Sequence, residues 1–267
     1  MRLEWDKAGE KLYETGVRNG VLYPVQTGGV YSVGYAWNGL TSVTESPSGA
    51  EPTALYADDI KYLNLVSAEE FGGTIEAYMF PDEWYECDGS ASLVDGVYAG
   101  QQSRKTFGLS FRTVLGNDEL NNEYGYKLHL IYGALASPSE RAYQTVNDSP
   151  EAQTLSWEFT TTPVNVSGMK PTSCVTINSK VADEDCIKVL EAFLYGTDDF
   201  DESKAYAVGD LVAYGTDASK KLYKFKAIHA AGAWSTDDVD ELGAAGPRLP
   251  LPDEVKSIMT PSNSALG

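Results

Sequence analysis

The sequence has few residues of the types that build metal and thiol sites. Its 267 residues include two histidines, His129 and His229, and three cysteines, Cys87, Cys174 and Cys186. Neither histidine has another histidine or a cysteine at metal-ligand spacing, so we expect no zinc site. Three widely spaced cysteines suit reduced thiols better than a disulfide framework, and we interpret them as small core residues.

Common catalytic signatures are also missing. The chain has no G-x-G-x-x-G, G-x-x-x-x-G-K-[ST] or G-x-S-x-G motif, the usual signatures of nucleotide binding and acyl transfer. Two adjacent carboxylates, such as Asp58 with Asp59 or Glu69 with Glu70, are the kind of pair that a glycosidase uses. With 39 acidic residues such neighbours arise by chance, and we interpret them as solvated. We expect no enzymatic activity and no cofactor.

Long apolar runs and positive charge are scarce. No window approaches the ~18 apolar residues of a membrane span, and residues 1–10 lack the apolar segment of a signal peptide. We therefore expect a chain that is neither exported nor inserted in a membrane. Lys and Arg total 20 against 39 Asp and Glu, a formal net charge of −19, which argues against a basic nucleic-acid-binding surface.

The residues that are present favour strands. Hydrophobic residues make up 42% of the chain, and 25 glycines and 17 tyrosines suit turns and half-buried pleated surfaces. Within residues 107–112 large apolar side chains alternate with small or polar ones, which predicts one core face and one wet face. The pattern favours a mainly β sandwich or barrel. The candidate strands are residues 20–25, 34–37, 60–66, 74–80, 105–115, 126–132, 154–162 and 172–178.

Two helical segments and two long connections interrupt this pattern. Apolar residues at three-to-four spacing predict a flanking helix between the N-cap Asp183 and the stop at Gly196, and residues 81–87 predict one short turn. Residues 41–59 contain two prolines and little apolar pattern, so they form either a mobile loop or a limb ordered by a partner. Residues 136–152 are typical of a turn-rich connection.

The composition changes near Thr197. An acidic run precedes a compact stretch with two short strands, a turn at Gly215–Asp217 and Trp234, and a second acidic run with small residues follows it. We interpret residues 198–246 as a small all-β module between acidic, Gly-rich linkers. The predicted domains are thus 1–197, 198–246 and a returning tail at 247–267.

Long collinear stretches carry a family resemblance. They are YETGVRNGVLYP, AWNGLTSVTESPSGAEPTALYADDIKYLNL, SAEEFGGTIEAYMFPDEW, RKTFGLSFRTVLGND, GYKLHLIYGALASPSERAYQTVNDSPEA, SWEFTTTPV and the tail RLPLPDEVKSIMT. In these stretches the chain resembles the major tail (tail tube) proteins of siphophages that infect Gram-positive bacteria.

This resemblance implies a structural subunit of the phage tail, made in the host cytoplasm and located in the virion. It implies a tail-tube-type β-sandwich with one flanking helix, assembled as hexameric rings whose inner strands join into a barrel. Stacked rings would form an acidic conduit that DNA passes through without specific binding. Partners implied by the family are further copies of the chain and the tape measure, distal tail and terminator proteins.

The resemblance also assigns a task to residues 41–59, because in this family a loop in that part of the chain reaches the next ring. The implied inter-ring and subunit contacts are Glu45, Pro47, Glu51, Pro52, Leu55 and Tyr56. The alternative is a surface connection with no partner.

The module resembles small carbohydrate-binding modules of the chitin-binding type around Tyr206, residues 208–212, residues 222–223, His229 and Trp234. That resemblance implies that Tyr206 and Trp234 stack on a host cell-wall glycan. The alternative is that both rings are core anchors of a very small unit. An adhesin that displays the module is thus the main functional alternative to a tube subunit with a surface decoration, and an enzyme with a carboxylate pair in one cleft is a second.

Overall fold

The computed structural model describes residues 2–143, 145, 152–216 and 219–261, and its fold is mainly β. Its helices are α1 (Trp84–Cys87), α2 (Glu184–Tyr195) and α3 (Pro252–Ile258). Its strands are β1 (Leu12–Pro24), β2 (Tyr35–Ala36), β3 (Leu40–Glu45), β4 (Ser48–Gly49), β5 (Pro52–Ala57), β6 (Ile60–Val66), β7 (Glu69–Glu70), β8 (Gly72–Ala77), β9 (Ala91–Val94), β10 (Val97–Ala99), β11 (Phe107–Asn117), β12 (Asn121–Ala136), β13 (Leu155–Thr161), β14 (Cys174–Asn178), β15 (Leu211–Tyr214), β16 (Lys221–Phe225) and β17 (Val239–Ala244).

The predicted fold class and all eight candidate strands are confirmed, because each candidate overlaps an observed strand. The predicted connection at 136–152 begins where β12 ends at Ala136, and its residues 144 and 146–151 lie outside the described residues.

The main sheet is antiparallel and has the order β2-β1-β11-β12-β13-β8-β3, with β14 beside β12. One edge of β12 pairs with β11, and the other pairs first with β14 and then with β13. The change of partner occurs beside Gly133, which has a φ of +61° and lies so close to Thr162 that an added Cβ would be 2.2 Å from its carbonyl oxygen. Only glycine fits this bend without strain.

The sheet curls around a core rich in tryptophan. Trp37, Trp84 and Trp157 are almost fully buried and contact one another with ring centroids 4.7–5.9 Å apart. Side chains from β1, β8, β11, β12 and β13 meet in this one cluster. The curl brings β3 against β1. The two strands approach so closely that a Cβ added at Gly20 of β1 would lie 2.8 Å from the side chain of Leu40 in β3.

A second core lies on the opposite face of the same sheet. There Leu128, Leu130 and Tyr132 of β12 pack with α2, α3 and Leu249. The prediction of a wet face for β11 is therefore wrong, since Gly108 and Ser110 are buried under this layer. A Cβ on Gly108 would lie 2.4 Å from the side chain of Leu249.

Helix α2 begins and ends as the sequence predicts. The Asp183 side chain accepts a hydrogen bond from the backbone N–H of Cys186 at 3.0 Å, and Gly196 follows the last turn with a φ of +83°. The sequence analysis does not predict helix α3. This helix begins at Pro252, and proline suits the first turn because the N–H groups there have no partner within the helix.

The module is a three-stranded sheet, β15-β16-β17. Tyr206, Val212, Phe225 and Val239 form its own small core, whereas Leu222 packs instead with Ala192 and Phe193 of α2 in the large domain. Residues 239–244, predicted to be part of an acidic linker, are strand β17, because their backbone pairs with β16.

The cysteine prediction holds only in part. Cys87 is buried in the first core, and Cys174 and Cys186 are partly exposed. All three are free thiols. Burial raises the pKa of the Cys87 thiol to about 12.

Candidate assembly surfaces

Residues 40–77 form one long bent hairpin. β3 pairs with β8, β4 with β7, and β5 with β6, all antiparallel and in sequence outwards from the main sheet. Its outer part, β5 and β6 (residues 52–66), is named the arm here, and a six-residue strand makes it about 20 Å long. Of the two alternatives for residues 41–59, the loop is wrong, since β3 belongs to the main sheet and β5 is one strand of a ribbon, and the limb ordered by a partner stays a prediction.

The tip of the arm is a two-residue turn at Asp58 and Asp59. Both residues have positive φ, 51° and 62°, which is the geometry of the tight turn that matches the twist of a hairpin. Aspartate tolerates this geometry better than most residues. The neighbouring acids interpreted as solvated therefore lie at an exposed turn, where they cap a projecting ribbon with negative charge.

The arm exposes large apolar side chains on both of its faces. Tyr56 is 71% exposed, Tyr62 69% and Ile60 66%, and Leu55, Leu63, Leu65 and Val66 are exposed as well. Every residue of β6 is exposed. A two-stranded ribbon with no covering layer is at best marginally stable in water, and a contiguous exposed apolar surface of this kind is typical of interaction sites.

The predicted contact residues divide between the arm and its base. Pro52, Leu55 and Tyr56 lie on β5, and Glu51 immediately precedes it. Pro47 lies between β3 and β4, and Glu45 ends β3 with its carboxylate 3.7 Å from His129 Nδ1.

The predicted contact residues do not include the second strand of the arm. The exposed apolar residues of β6 are Ile60, Tyr62, Leu63, Leu65 and Val66. The run at 60–66 was predicted to be a strand, but nothing in it indicates that neither face is covered.

Two of the unpaired outer strand edges of the main sheet belong to β1 and β14. β1 pairs with β11 on one side, and on its other side only Val21 and Leu22 pair with β2, which leaves the edge of residues 12–18 open. β14 pairs only with β12. Within the described residues, no strand covers either edge, and open edges are templates for pairing with another chain.

A polar cluster lies between the base of the arm and β1. His129 lies within 2.9 Å of Thr113 Oγ1 and 3.5 Å of Glu14 Oε1, and Lys127 Nζ is 2.5 Å from Glu14 Oε2. Burial lowers the pKa of His129, although Glu45 and Glu14 oppose this effect. Burial raises the pKa of Glu14, but the hydrogen bonds from Lys127 and Thr113 outweigh it and lower the pKa.

The ring of His129 also stacks on Phe111, with centroids 4.7 Å apart. These contacts are those of a partly buried strand histidine.

A groove of about 580 Å³ runs between α2 and the ends of β11 and β12. Arg112 crosses its floor, with its guanidinium 2.5 Å from Glu191 and over the rings of Tyr126 and Tyr195. These contacts hold α2 to the sheet, so Arg112 has a structural role.

In the module, Tyr206 is not available for stacking on a sugar. It is 9% exposed, its ring stacks on Phe225 at 4.7 Å and on Phe200 at 5.4 Å, and its hydroxyl accepts a hydrogen bond from the N–H of Asp201. The glycan-platform prediction is wrong for Tyr206 because the core of the module needs this ring.

Trp234 is half-buried. Its ring stacks on Tyr214 with centroids 4.0 Å apart, and Phe200, Phe225 and Tyr223 contact it edge-on. The structure therefore does not bring Tyr206 and Trp234 together as one exposed platform.

Within the described residues, no group of three or more His, Cys, Asp or Glu side chains is placed to hold a metal ion. None of the helices described has the length and apolar character that a membrane span requires. A scan of the sequence against models of known families gave no match, and a search of curated proteins gave none either.

Proposed function

We propose that this chain is a structural subunit of a phage tail tube, which assembles as rings that stack on one another. The observation that carries the proposal is the arm: an apolar ribbon, exposed on both faces, that extends from the same sheet that offers two open edges. Exposed apolar ribbons and open edges are hazards in a monomer and contacts in an assembly.

The direction of the strands supports closure into rings. The open edges belong to the first and last of four adjacent antiparallel strands, β1, β11, β12 and β14. With an even number of strands, β14 of one copy runs antiparallel to β1 of an identically oriented neighbour. A cyclic assembly therefore continues the same pattern around the ring, and six copies would contribute 24 strands. The number six comes from the family resemblance.

The charge of the chain fits a conduit. A net charge of −19 favours a lumen that repels phosphates, so that DNA slides through it without binding. The partners in this proposal are further copies of the chain, the tape measure, distal tail and terminator proteins, and the DNA in transit. The protein would reside in the virion, and neither a cofactor nor an enzymatic activity belongs to the proposal.

The adhesin alternative loses support from the burial of Tyr206. The module also shares a core cluster with α2, which favours a fixed decoration over a separately displayed binding unit. Glycan binding by a protein that never polymerises would favour the adhesin.

The test replaces residues 51–67 with Asn-Gly. Ala50 and Ala68 already approach each other, with the N–H of Ala50 3.4 Å from the carbonyl oxygen of Ala68, so a two-residue turn can close the shortened hairpin. A deletion of residues 41–59 would be unsuitable because it removes all of β3 except Leu40, including Val43, which packs on the first core.

We expect the wild-type protein to form rings or tubes in negative-stain electron microscopy over a concentration series. The shortened protein should keep a cooperative thermal unfolding transition but form no stacks. Ile228→Ser, a change at a side chain that is 80% exposed in the module, is the control and should stack normally. Normal tubes without the arm would refute its role, and a wild-type protein without rings at any concentration would contradict the tube proposal.

A further inference from the structure

A second exposed hairpin lies elsewhere on the chain. β9 and β10 pair with each other, and within the described residues no other strand pairs with them. Leu93 is 68% exposed, Val94 64% and Val97 48%. The ring of Tyr98 stacks on Tyr85 with centroids 3.8 Å apart, which fixes this hairpin to the large domain.

The two hairpins leave opposite ends of one strand. β8 begins at Gly72, where the chain returns from the arm, and ends at Ala77, from which the chain continues through α1 to β9. Tyr78 and Met79, 55% and 61% exposed, lie at this second end. Six residues of strand separate the two ends by about 20 Å.

We propose that β9 and β10, together with Tyr78 and Met79, form an acceptor surface for the arm of a second copy of this chain. The contact is head-to-tail, between two different surfaces. The inference rests on the proposed tube function and specifies which surface of the next ring receives the arm.

The acceptor surface is large enough to cover one face of the arm. When the exposed fractions are applied to apolar side chains, the seven in the arm expose on the order of 800 Å² over its two faces, and the six in the acceptor surface on the order of 600 Å². A stable interface buries about 800 Å² on each partner, so one face of the arm on this surface supplies part of such an interface, and other contacts between the rings supply the rest.

Each surface carries one charge that can pair with the other. Lys61 is the one cation within residues 52–66, whose tip also carries Asp58 and Asp59, and Asp95, in the turn of the second hairpin, is the one charged residue within 91–99. Within the described residues, neither Lys61 nor Asp95 forms a salt bridge. A pair between Lys61 and Asp95 favours orientations of the arm that keep its acidic tip away from Asp95, because like charges repel.

A head-to-tail contact leaves each growing stack with an unused arm at one end and an unused acceptor surface at the other. Such heterologous contacts propagate without limit, as a tube requires. Contact between two arms would instead be satisfied in a pair and would stop there.

The experiment uses two complementary variants of the full chain. The arm variant carries Tyr56→Asp and Tyr62→Asp, and the acceptor variant carries Leu93→Asp and Val94→Asp. The control carries Val181→Asp and Ile228→Asp, at residues that are 84% and 80% exposed outside both surfaces. Burying unpaired carboxylates should raise the concentration at which stacks appear by roughly 100-fold in either variant, while the control stacks like the wild type.

The mixture is the decisive measurement. An equimolar mixture contains intact arms on one variant and intact acceptor surfaces on the other, so it should form complexes of two layers and no longer stacks, as measured by sedimentation velocity and electron microscopy. Normal stacking by the acceptor variant, or no two-layer complex in the mixture, would overturn the inference. If the wild-type protein forms no rings, the tube proposal fails by itself, and the presence or absence of a mixed dimer of the two variants still decides whether the arm and the acceptor surface bind.

Discussion

Leu222→Ala should release the module from α2 without unfolding it, whereas Phe225→Ala should unfold the module. Both residues lie on β16 and are buried, but they face opposite ways. Leu222 packs on Ala192 and Phe193 of α2. Phe225 lies with Tyr206 in the module's own core, which is formed by few residues.

The expected energies follow from this burial. Leu222 is 0% exposed, and removing its three outer carbon groups should cost about 2–5 kcal/mol, from lost transfer energy and the remaining cavity. Since 1.4 kcal/mol is a factor of ten, release of the module becomes roughly 30 to 3,000 times more populated. Phe225→Ala should cost about 3–5 kcal/mol, a large fraction of what so small a core supplies.

Amide hydrogen exchange measured by mass spectrometry separates the two outcomes. In Leu222→Ala, protection should fall where α2 meets the module and persist in β15–β17. In Phe225→Ala it should fall throughout β15–β17. Ile228→Ala, at an exposed position of the module, is the control and should leave both regions unchanged.

Equal loss of protection in β15–β17 for the two variants would refute the reasoning, because it would mean that the module has no stability apart from α2. Unchanged protection in Leu222→Ala would equally refute the claim that this contact anchors it.

Two further predictions concern the main sheet. Gly133→Ala should destabilise the protein by more than the ~1–2 kcal/mol that positive φ alone costs, because the added Cβ would lie 2.2 Å from a carbonyl oxygen. The control is Gly28→Ala, at a residue with a φ of +90° and nothing within 4 Å of the added Cβ, which measures the backbone cost alone in the same denaturation assay. Equal losses of unfolding free energy in the two variants would contradict the steric argument. The lowered pKa of His129 means that folding favours its neutral ring. Its contribution to the unfolding free energy is therefore complete above the unfolded pKa of about 6.5 and is lost as the pH falls towards the folded pKa. His129→Gln should flatten the decline in unfolding free energy between pH 7.5 and 5, and an unchanged decline would show that other groups cause it.

Local patterns in the sequence predict the elements well. Apolar spacing, the cap at Asp183 and the glycine at 196 define α2 almost to the residue, because these signals act within one turn of the backbone. The run at 60–66 likewise predicts β6 with its observed bounds. The number of cysteines is a property of the chain itself, but their burial is not: of the three expected core residues, Cys174 and Cys186 are partly exposed.

The coverage of each face depended on residues far away in the chain. Gly108 and Ser110 were expected to be wet, but α2 and Leu249, which arrive more than 70 residues later, cover them. β6 has a similar apolar content to a core strand, yet no layer reaches it. Periodicity indicates which residues share a face, and only the packing of distant segments decides whether that face is buried.

The candidate sites show the same division. Proline, charge and aromatic content are local properties, and they mark residues 41–59 and the aromatic residues of the module as candidate contact sites. Long-range packing makes residues 41–59 part of a projecting ribbon and places Tyr206 in a core. Strand pairing and ring stacking join residues whose contact is not encoded by their spacing in the chain, so no local pattern could predict either outcome.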